Sequence, residues 1–204
     1  MIAKQIMESE DFKRCKEFHG HVCPGLSIGY RAVKAGMTAL NENRAIDEEL
    51  VAIVETDACA VDAVQVLTGC TFGKGNFIYK DYGKMAITLM SRNTGLGVRV
   101  SLLPNAFSIN NEHRELMKKV MSGESSQQET KRFTELHLER SYDILEKPVE
   151  QLFAVQSIQI QLPPKATIEP SIACECCGET AMSSKLSIID NKKICRGCIE
   201  KNNK

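Results

Sequence analysis

Two Cys-x2-Cys pairs, Cys174 with Cys177 and Cys195 with Cys198, restrict what this chain can fold into more than any other feature. Seventeen residues separate the pairs. At that spacing two thiolate knuckles close tetrahedrally on one zinc ion while a short β-hairpin fills the interval. The intervening residues predict that hairpin: 185–189 reads as a strand, Asp190 and Asn191 as a turn, and 192–194 as the returning strand. Gly178 and Gly197 are expected to relieve crowding beside the metal. The expectation is a structural zinc ribbon or treble clef, with paired disulfides or unliganded thiols as the alternatives. Cys176 is an extra thiol next to Cys177, but Cys174 and Cys177 have the knuckle spacing.

Residues 1–10 carry no long apolar stretch and no small-residue cleavage site, so the expected setting is the cytoplasm. There, nine cysteines point to metal or redox chemistry rather than a disulfide framework. Net charge is zero and the isoelectric point about 6.9, which supplies no global field toward nucleic acid or an anionic membrane. Residues 174–204 hold six basic against four acidic side chains, too small an excess to make nucleic acid the expected partner. No apolar run is long enough to span a bilayer.

The hydrophobic pattern predicts an α+β core with a mainly antiparallel sheet over residues 1–162, a Pro163-Pro164 linker over 163–173, and the zinc-binding domain over 174–204. Helices are expected at 24–42, 60–67, 111–121 and 127–145. Strands are expected at 50–55, 98–103 and 155–162, with a hairpin pairing 77–80 and 84–90 around Asp81-Tyr82-Gly83.

His19, His21 and Cys23 fall within five residues, bounded by Gly20 and followed by Pro24 at a helix start. A loop with that composition lets imidazoles and thiol converge, and a helix N-terminus favours a thiolate at Cys23. Cys59 lies where a strand gives way to a helix. These four residues are the candidate ligands of a second divalent transition metal, zinc among them, with Cys23 and Cys59 as the candidate reacting groups. Cys15, His113 and His137 lack ligand-type neighbours and read as structural residues. Cys70 stands about 16 Å along the helix from Cys59 and cannot share its metal within one protomer. With Thr71 and Lys74 it is a candidate for the lining of a ligand pocket. The run 69–75 lacks the glycine spacing and the Ser or Thr of a nucleotide phosphate loop.

The segments FHGHVCPGLSIGYRA and ETDACAVDAVQVLTGCTFGKGNFIYKDYGK, together with the terminal cysteine pairs, resemble the FmdE component of molybdenum formylmethanofuran dehydrogenase and the FmdE-like proteins. The resemblance covers about the first 160 residues plus the zinc module. It implies an α+β core, a homodimer, and site residues at His19, His21, Cys23, Cys59, Gln65, Thr68, Cys70, Thr71 and Lys74; the polar helices over 111–145 and the linker at Pro163 add the expectation that the zinc module packs across a neighbouring protomer. It also implies association with a redox enzyme that reduces carbon dioxide to a formyl group on methanofuran, its molybdenum or tungsten carried by a different polypeptide of the complex. The expected function is therefore metal-binding and accessory to a redox enzyme or to metal and cofactor handling. The alternative is a metal- or metabolite-sensing regulator whose zinc module contacts nucleic acid or protein.

Overall fold

A computed structural model describes residues 2–202. The chain divides into two compact units, Met1–Lys165 and Ala166–Lys204.

The larger unit is built around one helix and one sheet. After α1 (Ala3–Glu8), Ser9 caps α2 (Glu10–His19) by accepting from the Phe12 amide, and Gly20 at φ 92° ends it. Cys23 caps α3 (Pro24–Leu40), where Pro24 costs nothing in the first turn. Strand β1 (Leu50–Val54) is buried along its whole length and leads through α4 (Ala60–Thr68) to β2 (Phe77–Tyr79), which lies parallel to it. Strands β3 (Ala86–Ser91), β4 (Gly97–Leu102) and β5 (Phe153–Ile158) add antiparallel on the other side, giving the order β2-β1-β3-β4-β5. Helices α5 (Asn111–Ser122), α6 (Gln127–Glu146) and α7 (Val149–Leu152) connect β4 to β5.

The fold is thus α+β with a mainly antiparallel sheet. The expected β2–β3 hairpin is not formed. Both strands pair with β1, which lies between them, and the Lys80 amide continues the parallel ladder by donating to the Val54 carbonyl. A fully apolar run such as LVAIV is a central strand and needs a neighbour on each edge. Alternation in 77–90 cannot say which neighbour it takes.

Leu50, Ala52 and Val54 of β1 and Ile87 and Leu89 of β3 face the main core with Leu26, Val33 and Leu40 of α3. Val51, Ile53 and Met90 face the opposite side, against Ile78 and Leu162. Beyond β1, Glu55 is buried and takes a two-pronged ion pair from Arg99, both bonds 2.9 Å, which holds its carboxyl below the usual range. Arg31 of α3 donates to the carbonyls of Leu145 and Lys147, tying the end of α6 to α3. His113 and His137 share a 2.8 Å hydrogen bond between α5 and α6, and burial pushes His137 down to about 4. They join two helices, as structural histidines do.

Helix α3 meets α4 through glycine. A Cβ on Gly29 would stand 2.6 Å from the Ala60 Cα, inside backbone that cannot move independently, and one on Gly25 would lie 2.9 Å from the Cys59 Cβ. Gly29→Ala should therefore destabilise the larger unit by about 3 kcal/mol, the upper end of overpacking costs. Thermal unfolding followed by circular dichroism should show a fall of roughly 6–12 °C. Gly73→Ala, where a Cβ meets nothing, should leave the midpoint within about a degree or two, as surface substitutions do.

Candidate functional site

The core site grows from two helix ends. His19 is the last residue of α2, Gly20 turns the chain, and Cys23 opens α3, so the four-residue return brings His19, His21 and Cys23 together. One donor atom from each lies within 4.8 Å of the others. The His19 and His21 rings are 4.5 Å apart, and His19 Nε2 is 3.6 Å from Cys23 Sγ. Asp62 accepts a 2.7 Å hydrogen bond from His19 Nδ1, which fixes the tautomer with Nε2 bare and facing the thiol. A carboxylate behind a ligating imidazole is the usual orienting partner at a metal. Asp62 was not among the sequence candidates. Its only signal is its position in the first turn of α4, three residues after Cys59.

Cys59 is exposed at the N-terminus of α4 and stands outside that 4.8 Å group. It is nevertheless beside Cys23: both sulfurs lie within 3.8 Å of the point a Gly25 Cβ would occupy. The expected lowering of Cys23 by its helix terminus does not hold. Its thiol does accept from the Leu26 amide at 3.3 Å, but burial outweighs that bond and, with Cys59 adjacent, pushes it up to about 11. An unassisted Cys23 is a protonated thiol at neutral pH. Two imidazoles and a thiol form a borderline-soft donor set that suits zinc or a similar divalent transition metal. His21 leaves one side of the set open to solvent.

A cavity of about 410 Å³ adjoins His19 and Asp62. Val54 and Tyr79 place it at the carboxyl ends of the parallel strands β1 and β2, and Asp57, Cys59, Gln65, Phe72 and Phe77 are among the residues of its wall. Ligands favour such strand ends in sheets with parallel pairs.

The expected pocket residues separate. Cys70 is fully buried with its Sγ toward the Leu50 carbonyl, and burial raises its pKa. Lys74 is tied to the Asp47 carbonyl at 2.8 Å. Thr71 caps the short turn Phe72–Lys74 and lines a neighbouring cavity. Asn76, fully buried, braces this loop by accepting from the Thr71 amide and donating to the Asp47 and Leu50 carbonyls. Cys15 is buried, its thiol pushed up to about 12.

In the smaller unit, β6 (Ser171–Ala173) pairs with β7 (Thr180–Met182) around the first knuckle, and β6 begins inside the stretch expected as linker. Strands β8 (Leu186–Ile189) and β9 (Lys192–Cys195) form the hairpin, with Asp190 and Asn191 at φ 47° and 63°. The second cysteine pair straddles the start of α8 (Arg196–Asn202), the arrangement of a treble clef. Cys174 and Cys198 sulfurs are 4.0 Å apart and Cys177 and Cys195 3.9 Å. That is close to the edge of about 3.8 Å implied by four metal–sulfur bonds, and far beyond a disulfide. Amides of Cys195 and Cys176 donate to Cys174 Sγ, the first of these most strongly, and lower that thiol to about 6. Met182, Ile188 and Ile189 are exposed, whereas Ile194 packs with Cys174 and Cys198.

A family model described as FmdE, molybdenum formylmethanofuran dehydrogenase operon, matches residues 18–154. The chain belongs to the FmdE family. A crystal structure of a tungsten formylmethanofuran dehydrogenase FmdE-like protein from Syntrophus aciditrophicus shares the fold, with a TM-score of 0.61 at 24% identity over 99% of this chain and 94% of that one. A probable S-adenosyl-L-methionine-binding protein of Archaeoglobus fulgidus is 38% identical over 182 residues, 85% of this FmdE chain and 49% of the relative. The chain thus spans about half the length of that curated relative.

Ile194 is the one buried aliphatic side chain of the treble-clef module among the described residues, with Leu186 and Ile199 partly buried, and an apolar core this small is the situation in which metal–ligand bonds supply folding energy. Cys177→Ser and Cys198→Ser should each lose the metal of this unit, whereas Cys176→Ser should keep it. Metal analysis with limited proteolysis checks this: the first two variants should be cleaved within 166–204 and the third should resist.

Proposed function

We propose that this FmdE-family chain is a metal-dependent small-ligand protein that serves a redox enzyme or its cofactor supply rather than carrying the redox centre itself. Its core holds one divalent transition metal through His19, His21 and Cys23, and its treble clef holds a structural zinc through Cys174, Cys177, Cys195 and Cys198. The observation that carries the reading is the line from Asp62 through His19 to Cys23, with bonds of 2.7 and 3.6 Å. A carboxylate that fixes an imidazole toward a thiol, beside a cavity, is how a working metal site differs from a closed structural one. A metal bound there supplies a Lewis acid with a coordination position for water or ligand. Asp62 holds His19 in its ligating tautomer, and the Gly20 turn holds His21 on the open side. Phe72, Phe77 and Tyr79 give the adjoining cavity an aromatic side opposite its carboxylates Asp57 and Asp62. The family's operon name favours the accessory role.

The paired variant His21→Ala/Cys23→Ala should lose one metal per chain by elemental analysis and keep the treble-clef zinc. Unchanged stoichiometry would remove the core site. Asp62→Asn should weaken core metal affinity by about 10–100-fold, as loss of an orienting partner does.

A second reading concerns the ligand. The Archaeoglobus fulgidus relative is named for S-adenosyl-L-methionine, and the cavity here combines aromatic faces with the carboxylates of Asp57 and Asp62. Aromatic faces and carboxylates attract a sulfonium cation. Equilibrium dialysis should then retain S-adenosyl-L-methionine more strongly than its demethylated thioether, which lacks the sulfonium charge; equal retention would dismiss this ligand.

A further inference from the structure

Beside the core cavity lies a second chamber of about 590 Å³, and Gln65 lines both. The two adjoin along the chain as well, since Phe18 and Thr71 face the second chamber while their neighbours His19 and Phe72 face the first. Arg14 and Arg44 line the second chamber against a single carboxylate, Glu17. Arg44 donates its Nε to the Val66 carbonyl at 3.0 Å, which holds the guanidinium in place while its terminal amino groups take no partner among the described residues. Arg14 likewise makes no hydrogen bond or ion pair among them. Arg44 spends one donor on the last turn of α4 and keeps the rest of its fork free, and no bond among the described residues uses Arg14. Exposed arginines in a concavity, with their forked donors unspent, match carboxylate and phosphate groups. Phe18 and Phe72 are 59% and 64% exposed, one at the wall of each chamber, and present apolar faces to the same cleft.

We propose that the second chamber is an anion subsite. It takes the carboxylate or phosphate of an elongated ligand between Arg14 and Arg44, with a flat apolar body against Phe18. The other end of that ligand reaches past Gln65 toward His19, His21 and Cys23. The proposal rests on the reading of the core as a ligand site, but the arginine contacts need no metal.

The test is calorimetric titration of the full metal-loaded chain with phenyl phosphate, benzoate and neutral benzamide. At least one anion should bind about tenfold tighter than benzamide, a difference of about 1.4 kcal/mol. The tighter of the two anions names the group the subsite takes. Arg14→Ala/Arg44→Ala should abolish the preference while leaving metal content and the circular dichroism spectrum unchanged, because both side chains are exposed. His21→Ala/Cys23→Ala should keep the preference, so a failure of the core metal shows in elemental analysis and a failure of the subsite shows here. Equal binding of the three probes, no measurable binding of either anion, or a preference that survives loss of both arginines would each overturn the proposal.

Discussion

The close approach of α3 to α4 is the constraint on which the rest of the larger unit depends. Gly25 and Gly29 lie one turn apart on one face of α3, and the absent side chains let the Ala60 backbone and Cys59 come against it. Further along the same helix, Gly36 meets Leu89 and Val100 of the sheet, at 3.0 and 3.3 Å from where its Cβ would stand. One helix is thus pressed onto another at its beginning and onto a sheet near its end. The helix that pays the entropic cost of three glycines is stabilised by the packing they allow, with Leu26 and Val33 fully buried. The same approach puts the N-terminus of α3, with Cys23, beside the N-terminus of α4, with Cys59 and Asp62.

The two cysteine sites show how placement decides thiol chemistry. Cys174 is itself buried, but backbone amides, that of Cys195 first, point at its sulfur and lower it to about 6. Cys23 is buried as well, but there the loss of water outweighs the Leu26 amide and, with the Cys59 thiol for a neighbour, the group rises to about 11. A helix terminus acts through partial charges at its end, and here that effect is smaller than the loss of water around the sulfur. In the treble-clef cluster the backbone amides favour thiolate at Cys174, whereas the neighbouring thiols, Cys195 first, raise Cys198. The core cluster has instead an oriented imidazole and an open side, which suits exchangeable chemistry.

The cleft follows from topology. Strands β1 and β2 are the one parallel pair in an otherwise antiparallel sheet, and α4 is the crossover that joins them. Their carboxyl ends and the start of α4 leave a hollow that an antiparallel hairpin would have closed. Asp57, where the crossover begins, and Tyr79, where β2 ends, stand at that end of the sheet, and Phe77 lines the hollow from the start of β2. Gly69 at φ 74° and the buried Asn76 shape the return loop, which explains why Cys70 and Lys74 turn away from the cleft.

Local chemistry was legible without the fold. Cysteine spacing located the four-thiol cluster, Pro24 and Gly69 marked helix ends, and the His19-Gly20-His21 turn announced three converging donors. Each of these depends on φ/ψ preferences and capping over a few residues, which a short segment carries by itself. The partner of β2, the role of Asp62, the burial of Cys70, the fit of Gly29 against Ala60 and the pairing of Arg14 with Arg44 required the tertiary structure. All of them join residues far apart in the chain, through contacts set by how apolar faces pack. That packing also decided the protonation of Cys23, because desolvation is a property of the surroundings a residue ends up with and not of its neighbours in sequence.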